Sequence, residues 1–156
     1  MILCSTTIAF TQNNITGGQL TWECQGNGQY VFNVEFLAEC VSGNTVPVVN
    51  EIKVWNHTTL TSIPLTFISE LDITPSCNQV TGSPIERICS NLSIGSQKIY
   101  YYQSSPISIS GIPPTQGYQF TCSLKGRSLS ASNIQYVNPS GITLHAAMYS
   151  YNGLPA

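Results

Sequence analysis

Apolar and polar residues alternate with a period of two from one end of the chain to the other. Nowhere does the i, i+3, i+4 spacing of an amphipathic helix persist for ten residues. Successive side chains of a strand point to opposite faces, so the alternation predicts strands with one buried side. Leu20, Trp22 and Cys24 share one face of the first; Tyr30, Phe32, Val34, Phe36 and Ala38 share one face of the second, with Asn33, Glu35 and Glu39 opposite. Between them Gln25-Gly26-Asn27-Gly28 reads as a hairpin turn, because Asn-Gly accepts the positive φ that such turns need. Ile52 and Val54 alternate with Lys53 and Trp55, and residues 63–73 form an apolar stretch interrupted by Pro64, which suits an edge position. Further strands are expected over 99–102, at Ile107 and Ile109, at Tyr118 and Phe120, and at Ile142, Leu144, Ala146 and Met148. Turn signals separate them: Ser42-Gly43-Asn44, Thr81-Gly82-Ser83-Pro84, Gly111-Ile112-Pro113-Pro114 and Asn138-Pro139-Ser140-Gly141. The expectation is an all-β, antiparallel β-sandwich of immunoglobulin-like type, with about eight strands in a single domain over 13–156.

Composition moves this sandwich outside the cell. Charged residues make up 8% of the 156, against about 25% in an ordinary soluble domain, while Ser, Thr, Asn and Gln together supply 56. Solubility therefore rests on hydroxyls and amides, as on many extracellular β proteins. Five Lys and Arg against seven Asp and Glu leave a net charge of −2 and no basic stripe, which argues against nucleic acid as a partner. The six cysteines, at 4, 24, 40, 77, 89 and 122, include no C-x-x-C pair and fit an oxidising compartment. Residues 1–12 resemble the end of an export signal, with Ala9 and Thr11 placed for cleavage before Gln12, although the basic region that should precede it is missing. No apolar run approaches the roughly 18 residues of a membrane-spanning helix.

Four segments, in order, resemble the amino-terminal region of large secreted gliding-motility-associated and surface proteins of the Bacteroidetes, which often carry polycystic-kidney-disease-type repeats. Asn14-Ile15-Thr16-Gly17-Gly18-Gln19-Leu20-Thr21-Trp22-Glu23-Cys24 through Gly28-Gln29-Tyr30 is similar to the family opening His-Ile-Val-Gly-Gly-Glu-Ile-Thr-Tyr and its Gly-Asn turn. Glu39-Cys40 stands where the family has Tyr-Arg-Asp-Cys; Ile112-Pro113-Pro114 with Gly117-Tyr118 resembles its Leu-Pro-Pro stretch and Gly-Tyr; Asn133-Ile134 leads into Asn138-Pro139. The family's Cys-Cys-Arg-Asn falls on Lys125-Gly126-Arg127-Ser128, and its Arg on Ala38, so a family disulfide is moved or lost. The resemblance implies export, through the type IX route, and a place at the front of a longer surface polypeptide whose other domains are its nearest partners.

Candidate chemistry is sparse. A nucleophilic triad needs a base, and His57 and His145 are the two histidines; neither has a motif around it. Asp72 and the six Glu show no paired arrangement that would mark a glycosidase, and the histidines are too far apart for a zinc site. No cofactor is expected. Binding is signalled by aromatic residues: Trp55 alternates away from Ile52 and Val54, and the run Tyr100-Tyr101-Tyr102 must turn at least one ring outward, so Trp55, Tyr100 and Tyr102 are candidate binding aromatics for a surface glycan or protein. Cys77 and Cys89, in a loop-like stretch marked by Pro75, Gly82 and Pro84, are expected to form a disulfide. Cys24 and Cys40 lie at opposite ends of the proposed second strand and should not join; Cys122 is left with one of them, Cys40 being preferred. These expectations converge on a non-catalytic module of a secreted or outer-surface bacterial protein, serving assembly, spacing or adhesion. The rival is a carbohydrate-binding module of a secreted polysaccharide-degrading enzyme.

Overall fold

The computed structural model of the protein describes residues 14–40, 45–74, 89, 95–126 and 141–150. The export-signal segment, Cys4, Cys77, the turns at 42–44, 81–84 and 138–140, Asn133-Ile134 and residues 151–156 lie outside the described residues.

The chain opens with a hairpin. β1 (Ile15–Gly26) pairs antiparallel with β2 (Gln29–Glu39), bringing Trp22 opposite Phe32 and Leu20 opposite Val34. Asn27 and Gly28 join them, both at positive φ (51° and 69°), the combination a two-residue primed turn demands. Along β2 the inward row is the expected one: Tyr30, Phe32, Val34, Phe36 and Ala38 are all buried. Seven strands follow: β3 (Glu51–Trp55), β4 (Ser62–Pro64), β5 (Thr66–Asp72), β6 (Gln97–Gln103), β7 (Ile107–Ser108), β8 (Tyr118–Lys125) and β9 (Gly141–Met148).

They form two antiparallel sheets. One has the order β1-β2-β6-β5, with the short β7 also on β2; residues 33–39 of β2 pair with β6, and Gln29 and Tyr30 pair with β7. The other has the order β4-β3-β8-β9. Their inner faces meet in a single apolar core, with Phe32 of the first sheet 4.8 Å from Phe120 of the second and Trp22 within about 6 Å of both rings (6.1 and 5.9 Å). A main-chain bond from Ile15 N–H to the Gly126 carbonyl (2.8 Å) ties the start of β1 to the end of β8.

The all-β antiparallel sandwich is thus present, with nine strands among the described residues where about eight were expected. The difference lies in residues 63–73. Ile63 is in β4, at the edge of one sheet, and residues from Thr66 onward are in β5, at the edge of the other. Ile63 and Leu65 are both buried as the chain crosses between sheets, and Pro64, which has no N–H to give a ladder, sits on the edge strand as its chemistry requires.

The cysteine pairing also differs from expectation. Cys40 is bonded to Cys89, with Cα atoms 5.2 Å apart, so neither Cys77–Cys89 nor Cys40–Cys122 forms. Cys40 follows β2, and its N–H donates to the Ser96 carbonyl at the start of β6 (3.0 Å), which places it beside the excursion between β5 and β6 that carries Cys89. Cys122 sits in the other sheet, opposite Leu144, and faces the core as a free thiol, 1% exposed, whose pKa burial pushes up to about 11. Cys24 remains free and exposed near the hairpin end, apart from Cys40 as the strand geometry predicts.

Candidate functional site

The register separates the candidate aromatics. Tyr100 pairs with Phe36 and Tyr102 with Val34, so both rings share the inner face of their sheet and are only 4% and 3% exposed. Tyr102 packs edge-on against Phe36 (6.3 Å) and Phe67 (5.6 Å), its hydroxyl donates to the Pro47 carbonyl, and burial raises its pKa. Neither is a surface aromatic; Tyr101, between them, is the one that takes the outer face, opposite Glu35 and Ser69.

Trp55 does lie on the surface, 56% exposed, on the outer face of the sheet formed by β4, β3, β8 and β9. Its strand partner is Gln119, yet its indole N–H donates to the hydroxyl of Thr121 (2.9 Å), two residues along β8. The ring therefore leans diagonally over the groove between β3 and β8, within the reach that aromatic side chains have to diagonal neighbours. A second exposed ring stands beside the start of β8, on the β9 side. Tyr149, 61% exposed and one residue past β9, lies so close to Gly117 that a Cβ there would stand 3.0 Å from its ring and 2.9 Å from the Met148 carbonyl oxygen. Gly117 is required twice over, since its φ of +73° is also one that L side chains avoid.

Alternate positions 117, 119 and 121 thus have Tyr149, the Gln119 side chain and Trp55 against them in turn, a line along the outer side of the chain. Gln119 is held between the rings: its amide nitrogen donates to the Gln116 carbonyl and its amide oxygen receives the Nε2–H of His145, the residue on β9 opposite Thr121. Farther along the face Ser123 and Thr143 share a hydrogen bond (2.9 Å). On β3, beside Thr121, Lys53 pairs with Glu51, and that bond, with help from Ser62, holds the Glu51 carboxyl below its usual range. No carboxylate stands among Trp55, Gln119, Thr121, His145 and Tyr149. Tyr149 continues the polar alternation of Thr143, His145 and Ala147 in the last strand, a signal the sequence reading did not use; that it falls on the same face as Trp55 had none.

The two histidines sit as strand-end and polar-face residues. His57 is woven into its own turn: Nδ1 accepts from the N–H groups of Thr59 (3.2 Å) and Leu60 (3.0 Å), which leaves Nε2 to donate to the Ser110 carbonyl (3.2 Å), and the ring lies 4.7 Å from that of Tyr118.

The outer face of the β1-β2-β6-β5 sheet offers a different surface, an open groove of about 460 Å³ lined by Thr21, Glu23, Asn33, Glu35, Ile68, Tyr101 and Gln103 among others. Glu35 accepts from Gln19 (2.7 Å) and Asn33 from Gln103 (2.9 Å). Two carboxylates line it and no cation does. Among the described residues no three His, Cys, Asp or Glu side chains are grouped as metal ligands. No family model, no curated protein and no solved structure matches the chain.

Proposed function

We propose that the protein is a non-catalytic extracellular module of a secreted or cell-surface bacterial protein, serving assembly, spacing or adhesion, in the manner of the amino-terminal regions it resembles. The Cys40–Cys89 bond carries this reading, because such a bond persists in an oxidising compartment and is rare in the reducing cytosol. The scarcity of charge agrees with it, and so does the use of His57 as a structural acceptor of main-chain N–H groups in place of a poised base. The test is the location and thiol state of the protein in the cell that encodes it. Protease shaving of intact cells, with alkylation before lysis, should release the chain with Cys40 and Cys89 oxidised; a cytosolic protein with both thiols reduced would overturn the proposal. Turnover of an ester or glycan that disappears on His57→Ala or His145→Ala would overturn its non-catalytic half.

A second reading, a carbohydrate-binding module of a secreted polysaccharide-degrading enzyme, is favoured by one observation, the two exposed rings of Trp55 and Tyr149 along β8.

A further inference from the structure

We propose that the line formed by Tyr149, Gln119 and Trp55 along β8 is a binding site for an uncharged, extended glycan. The inference rests on the carbohydrate-binding reading and assigns it a place and a ligand class. Three properties of the line point that way. Both rings are exposed and held close to the chain, Trp55 by its bond to Thr121 and Tyr149 by its closeness to Gly117. Aromatic rings offer flat faces, and a pyranose ring presents a matching flat face of C–H groups. From Tyr118, the first residue of β8, to Thr121 is three residues of strand, roughly 10 Å at about 3.3 Å each, and Tyr149 lies one residue farther out, at Gly117, so a ligand that touches both rings is a chain and not a single sugar. Between the rings Gln119 is fixed by Gln116 and His145, which supplies amide and imidazole groups for hydroxyls without the cost of ordering them.

Charge chooses among glycans. The line itself holds no charged side chain: Lys53 is engaged by Glu51, and Lys125, the other cation of this face among the described residues, stands at the far end of β8, past Ser123. A protein partner fits less well, since the centre of a protein interface is a contiguous apolar patch, whereas here hydroxyl and amide side chains separate the two rings. The groove beside Tyr101 is a built-in comparison: it has one outward-facing ring, the neighbouring Tyr102 being buried, and two carboxylates, where the line has two exposed rings and no carboxylate.

The experiment uses the whole oxidised chain in affinity electrophoresis through gels containing soluble β-1,4-glucan, β-1,3-glucan, xylan, mannan or alginate, followed by calorimetry on oligosaccharides of any retarding polymer. Retardation by at least one neutral polymer and none by alginate is expected. Trp55→Ala and Tyr149→Ala should each weaken binding by roughly tenfold or more, as aromatic anchors at binding hot spots do. Trp55→Phe should recover part of it, and Tyr101→Ala should bind as the parent does. Both rings are exposed, so the thermal midpoints of these variants should match the parent and exclude misfolding. Retardation by alginate above the neutral polymers overturns the ligand class. Binding that is lost in Tyr101→Ala and kept in Trp55→Ala and Tyr149→Ala overturns the site while leaving the carbohydrate-binding reading standing. No retardation by any neutral polymer overturns the proposal and that reading together, and the extracellular-module proposal is then judged on location alone.

Discussion

A methyl group on Gly18 would stand 2.4 Å from the carbonyl oxygen of Glu35 and 3.2 Å from the ring of Phe36, across the β1–β2 pairing. A backbone atom cannot swing aside, so Gly18→Ala must push the two strands apart. The expected cost is about 1–3 kcal/mol, measured as a lower urea midpoint; an unchanged midpoint would show that the hairpin opens freely there. Asp72 makes a different local demand. Its carboxylate accepts from the Thr74 hydroxyl (2.5 Å), the Cys89 N–H (2.7 Å) and the Thr74 N–H (3.0 Å), and these bonds, the hydroxyl first, hold its pKa below the usual carboxylate value. A group with a depressed folded pKa adds stability that is fully present above its unfolded pKa, about 4, and is lost as pH falls through the lower folded value. Asp72→Asn should therefore be less stable than the parent at neutral pH and lose less of its stability on acidification. Denaturation curves at stepped pH measure both, and parallel acid limbs for the two proteins would refute the assignment.

At the scale of elements, the Cys40–Cys89 bond ties Cys89, which lies between β5 and β6 in the chain, to the end of β2, closing 49 residues of sequence separation. In the chain-entropy account a loop of that length stabilises by about 4 kcal/mol. Replacing both cysteines by serine should lower the unfolding free energy by roughly that amount, and non-reducing peptide mapping of the parent should recover the Cys40–Cys89 peptide; a Cys40–Cys122 peptide would contradict the placement of Cys122 in the opposite sheet. The same bond explains why Asp72 matters beyond its own turn: its link to Cys89 N–H joins the end of β5 to the covalent staple. β5 itself is exposed along its whole length, Phe67, Ile68 and Leu71 included, so the apolar look of residues 63–73 came from two strands with different environments. Buried Ile63 and Leu65 belong to the crossing between sheets, and the apolar residues after them to an edge.

For the whole molecule, the contact between Phe32 and Phe120 decides how firmly the sheets hold together, since each ring is fully buried and comes from a different sheet. Phe120→Ala should cost about 3–5 kcal/mol in equilibrium unfolding. Combined with Phe32→Ala, the loss should deviate from the sum of the two single losses by about 0.5–3 kcal/mol, because contacting residues couple; strict additivity would mean that the rings do not touch in solution. This core was largely legible in advance. Strand side chains repeat every two residues, so the row from Tyr30 to Ala38 declares its inner face in the sequence itself, and the positive φ of Asn27-Gly28 is a property of those two residues. Alternation also set Trp55 apart from Ile52 and Val54. It failed at Tyr100-Tyr101-Tyr102, where every position is the same residue and only pairing with Phe36 and Val34 settles which rings go inward. It was silent on partners: Cys40 and Cys89 are 49 positions apart, Trp55 and Thr121 are 66 apart, and Tyr149 meets Gly117 only through the pairing of β8 with β9. The sequence alone therefore determined the strand faces and the turn between the first two strands, which arise from neighbouring residues. The disulfide, the split of residues 63–73 and the pairing of two rings along β8 were decided only by tertiary structure, because each depends on which sheet a strand joins and in what register.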